Sequence, residues 1–195
     1  MDILWWEKTV EYFFVQKYVD LNMFIAPLDG DHEKAGDAIF SNVNTWVLIE
    51  FKRDKSTVAD EIGKFTNYES AKSALESIGN HHLIIYGVAE NDDFLLRCRQ
   101  YFSGKDLAIE EALVSGTTKD IFINYLRRFV EFKKTSKSGA GGYSFVAGVS
   151  RDGTVTKCMK VSEFAEALKL EKALQQKLQQ KQEQSYSGPS VPSQN

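Results

Sequence analysis

The chain has 195 residues, with 24 Lys and Arg against 27 Asp and Glu and a formal net charge of −3. That length suits one well-buried domain with an appendage, and no apolar run approaches the roughly 18 residues of a membrane span. The slightly acidic balance excludes a protein that coats nucleic acid non-specifically, while leaving room for a local basic face. The cysteines, Cys98 and Cys158, have neither metal-type spacing nor a disulfide framework. The start, MDILWWEK, lacks the basic and apolar regions of a signal peptide, so a cytoplasmic address with no membrane association is expected.

In chain order, Ile3–Val19 predicts an amphipathic helix on which Glu7 and Glu11 lie one turn apart and share a face. Met23–Leu28 predicts a first strand that Pro27 ends or confines to an edge. The acidic loop LDGDHEKAGD is not a calcium loop, because the sixth-position glycine is absent and Phe40 stands where a glutamate is needed. It predicts a turn that delivers Asp37, with Asp29 or Asp31 in range of a water-mediated metal contact.

Asp37–Phe40 and Trp46–Phe51 predict two short strands joined by a polar turn. Side chains two apart on a strand share a face, so Glu50 and Lys52 project together while Phe51 points the other way, into a core. A hairpin pairing would set Asp37 beside Glu50. Two hard oxygen ligands suit Mg²⁺, which takes one or two carboxylates and keeps water elsewhere. A neighbouring lysine holds or deprotonates an attacking water and offsets charge on a phosphate.

Ala59–Ser77 predicts a helix with Ile62, Phe65, Tyr68 or Glu69, and Leu75–Ile78 on its buried face, ended by Gly79. His81 and His82 then read as surface residues at the head of LIIYGVA, a strand buried on both faces. Residues 91–116 suggest short helices, or a strand and a helix, closing one side of the sheet. Thr117–Lys134 predicts a helix opened by Thr118 or Asp120. At its end Glu131-Phe132-Lys133 repeats the letters of Glu50-Phe51-Lys52 and reads as a solvated helix terminus. Arg97, Arg99, Arg127, Arg128, Lys133, Lys134 and Lys137 are candidates for phosphate contacts. SKSGAGG reads as a connector, and a hairpin is expected around Arg151-Asp152-Gly153. A helix from Ser162 carries Phe164, Ala167 or Leu168, Leu174 and Leu178, and SYSGPSVPSQN has the composition of a disordered tail.

Asp37 followed by Glu50-Phe51-Lys52 at the end of an apolar strand resembles the signature of the PD-(D/E)XK nuclease superfamily, with Gly36 in place of the proline of the family name. The resemblance implies an α/β fold with a restriction-endonuclease-like core, a mixed central sheet in αβββαβ order flanked by helices. A C-terminal helical extension would follow. The corresponding division is a nuclease-like domain over 1–160, a helix over 161–184 and a tail over 185–195. By the same resemblance Asp37, Glu50 and the carbonyl of Phe51 would hold Mg²⁺ or Mn²⁺, Lys52 would position water, and Glu7, or alternatively Glu11, would assist at a second site. Lys64-Phe-Thr-Asn-Tyr68 has the spacing of the family's Gln-x-x-x-Tyr motif with a different first residue. Lys64, Tyr68, Arg127 and Arg128 are accordingly expected on DNA.

The activity implied is a metal-dependent endo- or exodeoxyribonuclease leaving a 5′-phosphate and a 3′-hydroxyl. Lys52→Ala or Asp37→Ala should then abolish cleavage and leave the fold intact. Two other classes remain open at this stage. One is a nuclease-fold module that binds nucleic acid or protein without catalysis, as in phage or mobile-element defence and counter-defence. The other is a nuclease subunit joined to a protein partner or a second copy through the C-terminal helix.

Overall fold

The computed structural model describes residues 4–20, 43–134 and 144–169, together with 172 and 176. The expected strands Met23–Leu28 and Asp37–Phe40, the acidic loop, all of SKSGAGG with its Lys137, Leu174, Leu178 and the tail lie outside the described residues.

The architecture is α/β, a six-stranded mixed sheet flanked by helices. Helix α1 (Glu7–Tyr18) precedes β1 (Thr45–Lys52). A 3₁₀ segment (Lys55–Lys64) and α2 (Tyr68–Leu75) cross over to β2 (His82–Glu90), which runs parallel to β1 with Glu50 opposite Ile84. β3 (Asp93–Gln100) returns antiparallel through Asn91 and Asp92, both at positive φ as a two-residue hairpin turn requires. The chain continues through β4 (Asp106–Leu107), α3 (Ile109–Val114), α4 (Lys119–Phe132), β5 (Phe145–Val149) and β6 (Val155–Lys160). Residues 161–169 form a last helical stretch, α5. The strand order is β4-β3-β2-β1-β5-β6.

Alternation along β1 divides the interior into two cores. Val47, Ile49 and Phe51 join Leu83 and Ile85 of β2 beneath Val10 and Phe14 of α1 and Ile109, Ala112 and Leu113 of α3. Trp46 and Leu48 join Ile84 and Tyr86 beneath α2, α4 and α5, through Leu75, Phe122, Tyr125, Phe129 and Phe164. Both faces of β2 are buried, as its continuous apolar run predicts. Phe164 packs on Trp46 and Phe122, with ring centres 5.1 and 5.5 Å apart, so 161–169 shares the core of the sheet.

Several expectations are corrected. β1 takes β5 as its antiparallel neighbour over Thr45–Ile49, whereas Asp37–Phe40, expected to pair with it as a hairpin, lies outside the described residues. On the opposite edge Leu48–Lys52 pairs with β2, and Trp46 exchanges hydrogen bonds with Thr117. The helix expected over 59–77 is a 3₁₀ segment and a short α-helix separated at Phe65–Asn67. Asp54 caps the first, accepting from the amides of Ser56 and Thr57, and Asn67 caps the second, accepting from Ser70. Within the 3₁₀ segment Ile62, expected on the buried face, is exposed, and its neighbour Glu61 is buried. His81 and His82 are buried beneath α4, not displayed on the surface. The turn at Arg151-Asp152-Gly153 is as expected, with Gly153 at φ +86°. No helix among the described residues is long and apolar enough to cross a membrane.

Candidate active site

Glu50 and Lys52 leave the carboxyl end of β1 on the same face as Trp46 and Leu48. Both are buried, at 3% and 5% exposure. The side chain that gathers the charges around them is Glu61. Its Oε1 lies 2.5 Å from the Lys52 ammonium and 2.5 Å from that of Lys64, and its Oε2 accepts from the Tyr101 hydroxyl at 2.7 Å and from Lys133 at 3.2 Å. Lys133 also donates to the Tyr101 oxygen at 3.2 Å. Its ammonium sits 4.4 Å from the ring centre of Phe65 and 4.6 Å from that of Phe129, a cation–π wrapping that favours a desolvated charge. Glu50 accepts a hydrogen bond from the Ser144 hydroxyl at the entry to β5.

Local backbone structure explains how these groups meet. In a 3₁₀ turn residues i and i+3 lie one above the other, which stacks Lys64 on Glu61. Phe65 and Lys133 form an antiparallel bridge: Thr66 donates to the Phe132 carbonyl at 3.1 Å and Lys134 to the Lys64 carbonyl at 3.0 Å. The end of the 3₁₀ segment is thereby tied to the end of α4. Behind the cluster His82 stacks on Tyr101, with ring centres 3.9 Å apart, and its Nδ1 is 2.8 Å from the Tyr125 hydroxyl.

The two carboxyl groups are pushed in opposite directions. Burial works to raise Glu61, but Lys133, Lys52 and Lys64 together hold it well below the usual carboxylate range. Burial raises Glu50, and the fixed negative charge of Glu61 raises it further. Burial alone would lower Lys64, yet the pull of Glu61 leaves it raised. For Lys133 burial prevails over both glutamates and the ammonium is lowered. Tyr101 is held protonated far above its ordinary range by burial and by Glu61. Paired titratable groups with divergent proton affinities are a frequent property of functional sites.

The structure brings together Glu50, Lys52 and Lys64 of the sequence-assigned residues, with Tyr68 half-buried nearby against Phe65 and Phe102. Asp37 lies outside the described residues. Glu7 is not brought to this cluster, because α1 packs on the Val47–Ile49–Phe51 face, opposite Glu50 and Lys52. Glu11 on the same helix pairs with Lys8 at 2.5 Å. Arg127 is exposed, and Arg128, also exposed, bonds the Ala74 carbonyl of α2 at 3.2 Å. Lys133, expected at a solvated helix end, is instead among the most enclosed charges, its side chain 8% exposed. Sequence reasoning missed Glu61, Tyr101 and Ser144. For Glu61 there was a signal in its i,i+3 spacing to Lys64. The ground for expecting Lys52→Ala to spare the fold, a side chain outside the core, is corrected, since Lys52 is buried and paired with Glu61.

Of the sequence-assigned donors for a divalent cation, Glu50 stands at this cluster, next along the chain to the Phe51 carbonyl, and both oxygens of Glu61 are already taken by cations and a hydroxyl. Among the described residues no three of His, Cys, Asp and Glu converge as a metal site. One carboxylate with one carbonyl is an acceptable protein share for Mg²⁺, which retains several waters. The positive charge of a cation there would oppose the raising of Glu50 by burial and by Glu61. Comparison of the chain with family models, with curated proteins and with solved structures gives no match.

Proposed function

We propose that the protein is a metal-dependent nuclease of the PD-(D/E)XK type that hydrolyses DNA phosphodiester bonds at the Glu50–Lys52 end of β1. The observation that carries this reading is the convergence of Glu50, Lys52 and Lys64 on one face, where a helical crossover joins two parallel strands. In open α/β sheets ligands bind beyond the carboxyl ends of the strands. Glu50 and the Phe51 carbonyl, with Asp37 as the sequence-assigned third donor, would hold Mg²⁺ or Mn²⁺. When bound, the ion supplies Lewis acidity toward a phosphate oxygen.

The remaining work belongs to the chain. Lys52 orients the attacking water, whose oxygen bonds to phosphorus as the bond to the 3′-oxygen breaks. The water gives up one proton to solvent as it attacks and the leaving oxygen takes one up, so protons balance and the products are a 3′-hydroxyl and a 5′-phosphate. Lys64, whose side chain is 44% exposed, meets the charge of the incoming phosphate.

A second reading has an observation of its own. Three ammonium groups, of Lys52, Lys64 and Lys133, surround two carboxylates, Glu50 and Glu61, and Lys52 is enclosed. An excess of positive charge suits a module that binds the nucleic-acid backbone without cutting it.

Cleavage of supercoiled plasmid, linear duplex and single-stranded DNA with Mg²⁺ or Mn²⁺ separates the two. Wild type should cleave, EDTA should stop it, and Glu50→Gln, which keeps side-chain volume, should lose it while unfolding at a urea midpoint no lower than that of wild type. DNA binding without cleavage by folded wild type would overturn the nuclease in favour of the binding module.

A further inference from the structure

Building on the nuclease reading, we infer that Glu61 is the positioning residue of the site, fixing the ammonium groups of Lys52 and Lys64 while Tyr101 and Lys133 fix Glu61 from behind. Each Glu61 oxygen has two partners, Lys52 and Lys64 on one and Tyr101 and Lys133 on the other, so the carboxylate serves as a hub and not as a ligand for substrate. Exposure sets the order of the parts. The Lys133 side chain is 8% exposed and lies at the back among aromatic rings, whereas that of Lys64 is 44% exposed and faces the open side. Lys52, at the end of β1, is as enclosed as Lys133, its side chain 6% exposed.

Stability is a weak explanation for this arrangement. Removing charges from water costs several kcal/mol per ion, and well-packed apolar residues are often as stable or more so. A core that needed only cohesion has no use for three lysines around one glutamate. A lysine at a strand end, by contrast, has a flexible stem that must be held in one geometry to place water or phosphate. The cap at Asp54 and the tie between Phe65 and Lys133 keep the element bearing Glu61 in register with β1.

The test uses the full chain and has two arms. In ¹⁵N–¹H spectra of lysine side chains, ammonium groups held in ion pairs and shielded from water give slowly exchanging signals. Wild type should show one for Lys52, assigned by its loss in Lys52→Met, and Glu61→Gln should lose it. In the cleavage assay Glu61→Gln should lower kcat about 100-fold with KM changed less than about threefold, and Glu61→Asp should recover part of the loss. Should Glu61→Gln fail to fold, Tyr101→Phe, which removes one hydroxyl and no charge, should weaken the Lys52 signal and lower kcat severalfold. A Lys52 signal unchanged in a folded Glu61 or Tyr101 variant overturns the inference, as does an unchanged kcat. If wild type cleaves no DNA the nuclease reading fails on its own, and the spectra still decide whether Glu61 holds Lys52.

Discussion

Mild acid should destabilise this protein through His81 and His82 before the lowered carboxylate of Glu61 begins to contribute. Both side chains are buried, at 3% and 0% exposure. Burial lowers His81 to about 4, and burial followed by the charge of Lys133 and His81 lowers His82 well below its ordinary value, against the opposing pull of Glu61. In the unfolded chain each titrates near 6.5. Between those values the unfolded state binds protons that the folded state refuses, so stability falls as pH falls. For His81 the loss amounts to about 2 kcal/mol at pH 5 and about 3 kcal/mol at pH 4, relative to neutral pH. His82 acts in the same sense. Glu50, raised in the folded state, acts in the opposite sense, and Glu61, lowered in the folded state, begins to contribute a loss only near the ordinary glutamate range.

The assay is urea unfolding followed by tryptophan fluorescence from pH 7.5 down to 5, comparing wild type with His81→Phe. Phenylalanine fits beside Tyr125 and Phe122, whose ring centres lie 4.6 and 5.7 Å from that of His81. The variant should lose about 2 kcal/mol less than wild type over this range. Identical pH dependence in the two proteins would refute the reasoning, because His81 would then titrate alike folded and unfolded.

Phe164→Ala should cost about 3–5 kcal/mol in the same assay, since the ring is fully buried against Trp46 and Phe122. A loss under about 1 kcal/mol would detach 161–169 from the core of the sheet. Asp54→Ala should remove about 1 kcal/mol by leaving the amides of Ser56 and Thr57 without their cap. Amide exchange should then quicken along Lys55–Lys64 first, and uniform quickening across the sheet would contradict a local cap.

What the sequence made legible was what depends on near neighbours. Period-two alternation separated Phe51 from Glu50 and Lys52 correctly, and the apolar run after His82 marked a strand covered on both faces. The glycine turn at 151–153 marked a hairpin. The neighbour of β1 was hidden because β5 lies far along the chain, with Ser144 94 residues from the Glu50 it bonds. Distant pairings leave little local trace, whereas a polar turn between two short apolar runs suggests a hairpin whether or not it forms. In the 3₁₀ segment Ile62 was assigned inward and Glu61 was passed over, and the structure exposes Ile62 and buries Glu61. Partners contributed by β1, Tyr101 and α4 overrode the local pattern there.

The repeated Glu-Phe-Lys letters sharpen the point. Secondary structure distinguished the copies correctly, one ending a strand and the other a helix. From a helix end it is natural to conclude solvation, because an unpaired ammonium is too costly to bury. That step fails when a partner already lies inside. Lys133 is enclosed because Glu61 offers a carboxylate oxygen and Phe65 and Phe129 offer ring faces, while Glu61 is enclosed because three lysines balance its charge and a hydroxyl donates to it. Neither burial is favourable without the other. Read separately, each residue belongs on the surface, and only the bridge that ties Lys133 to Phe65 makes the joint solution available.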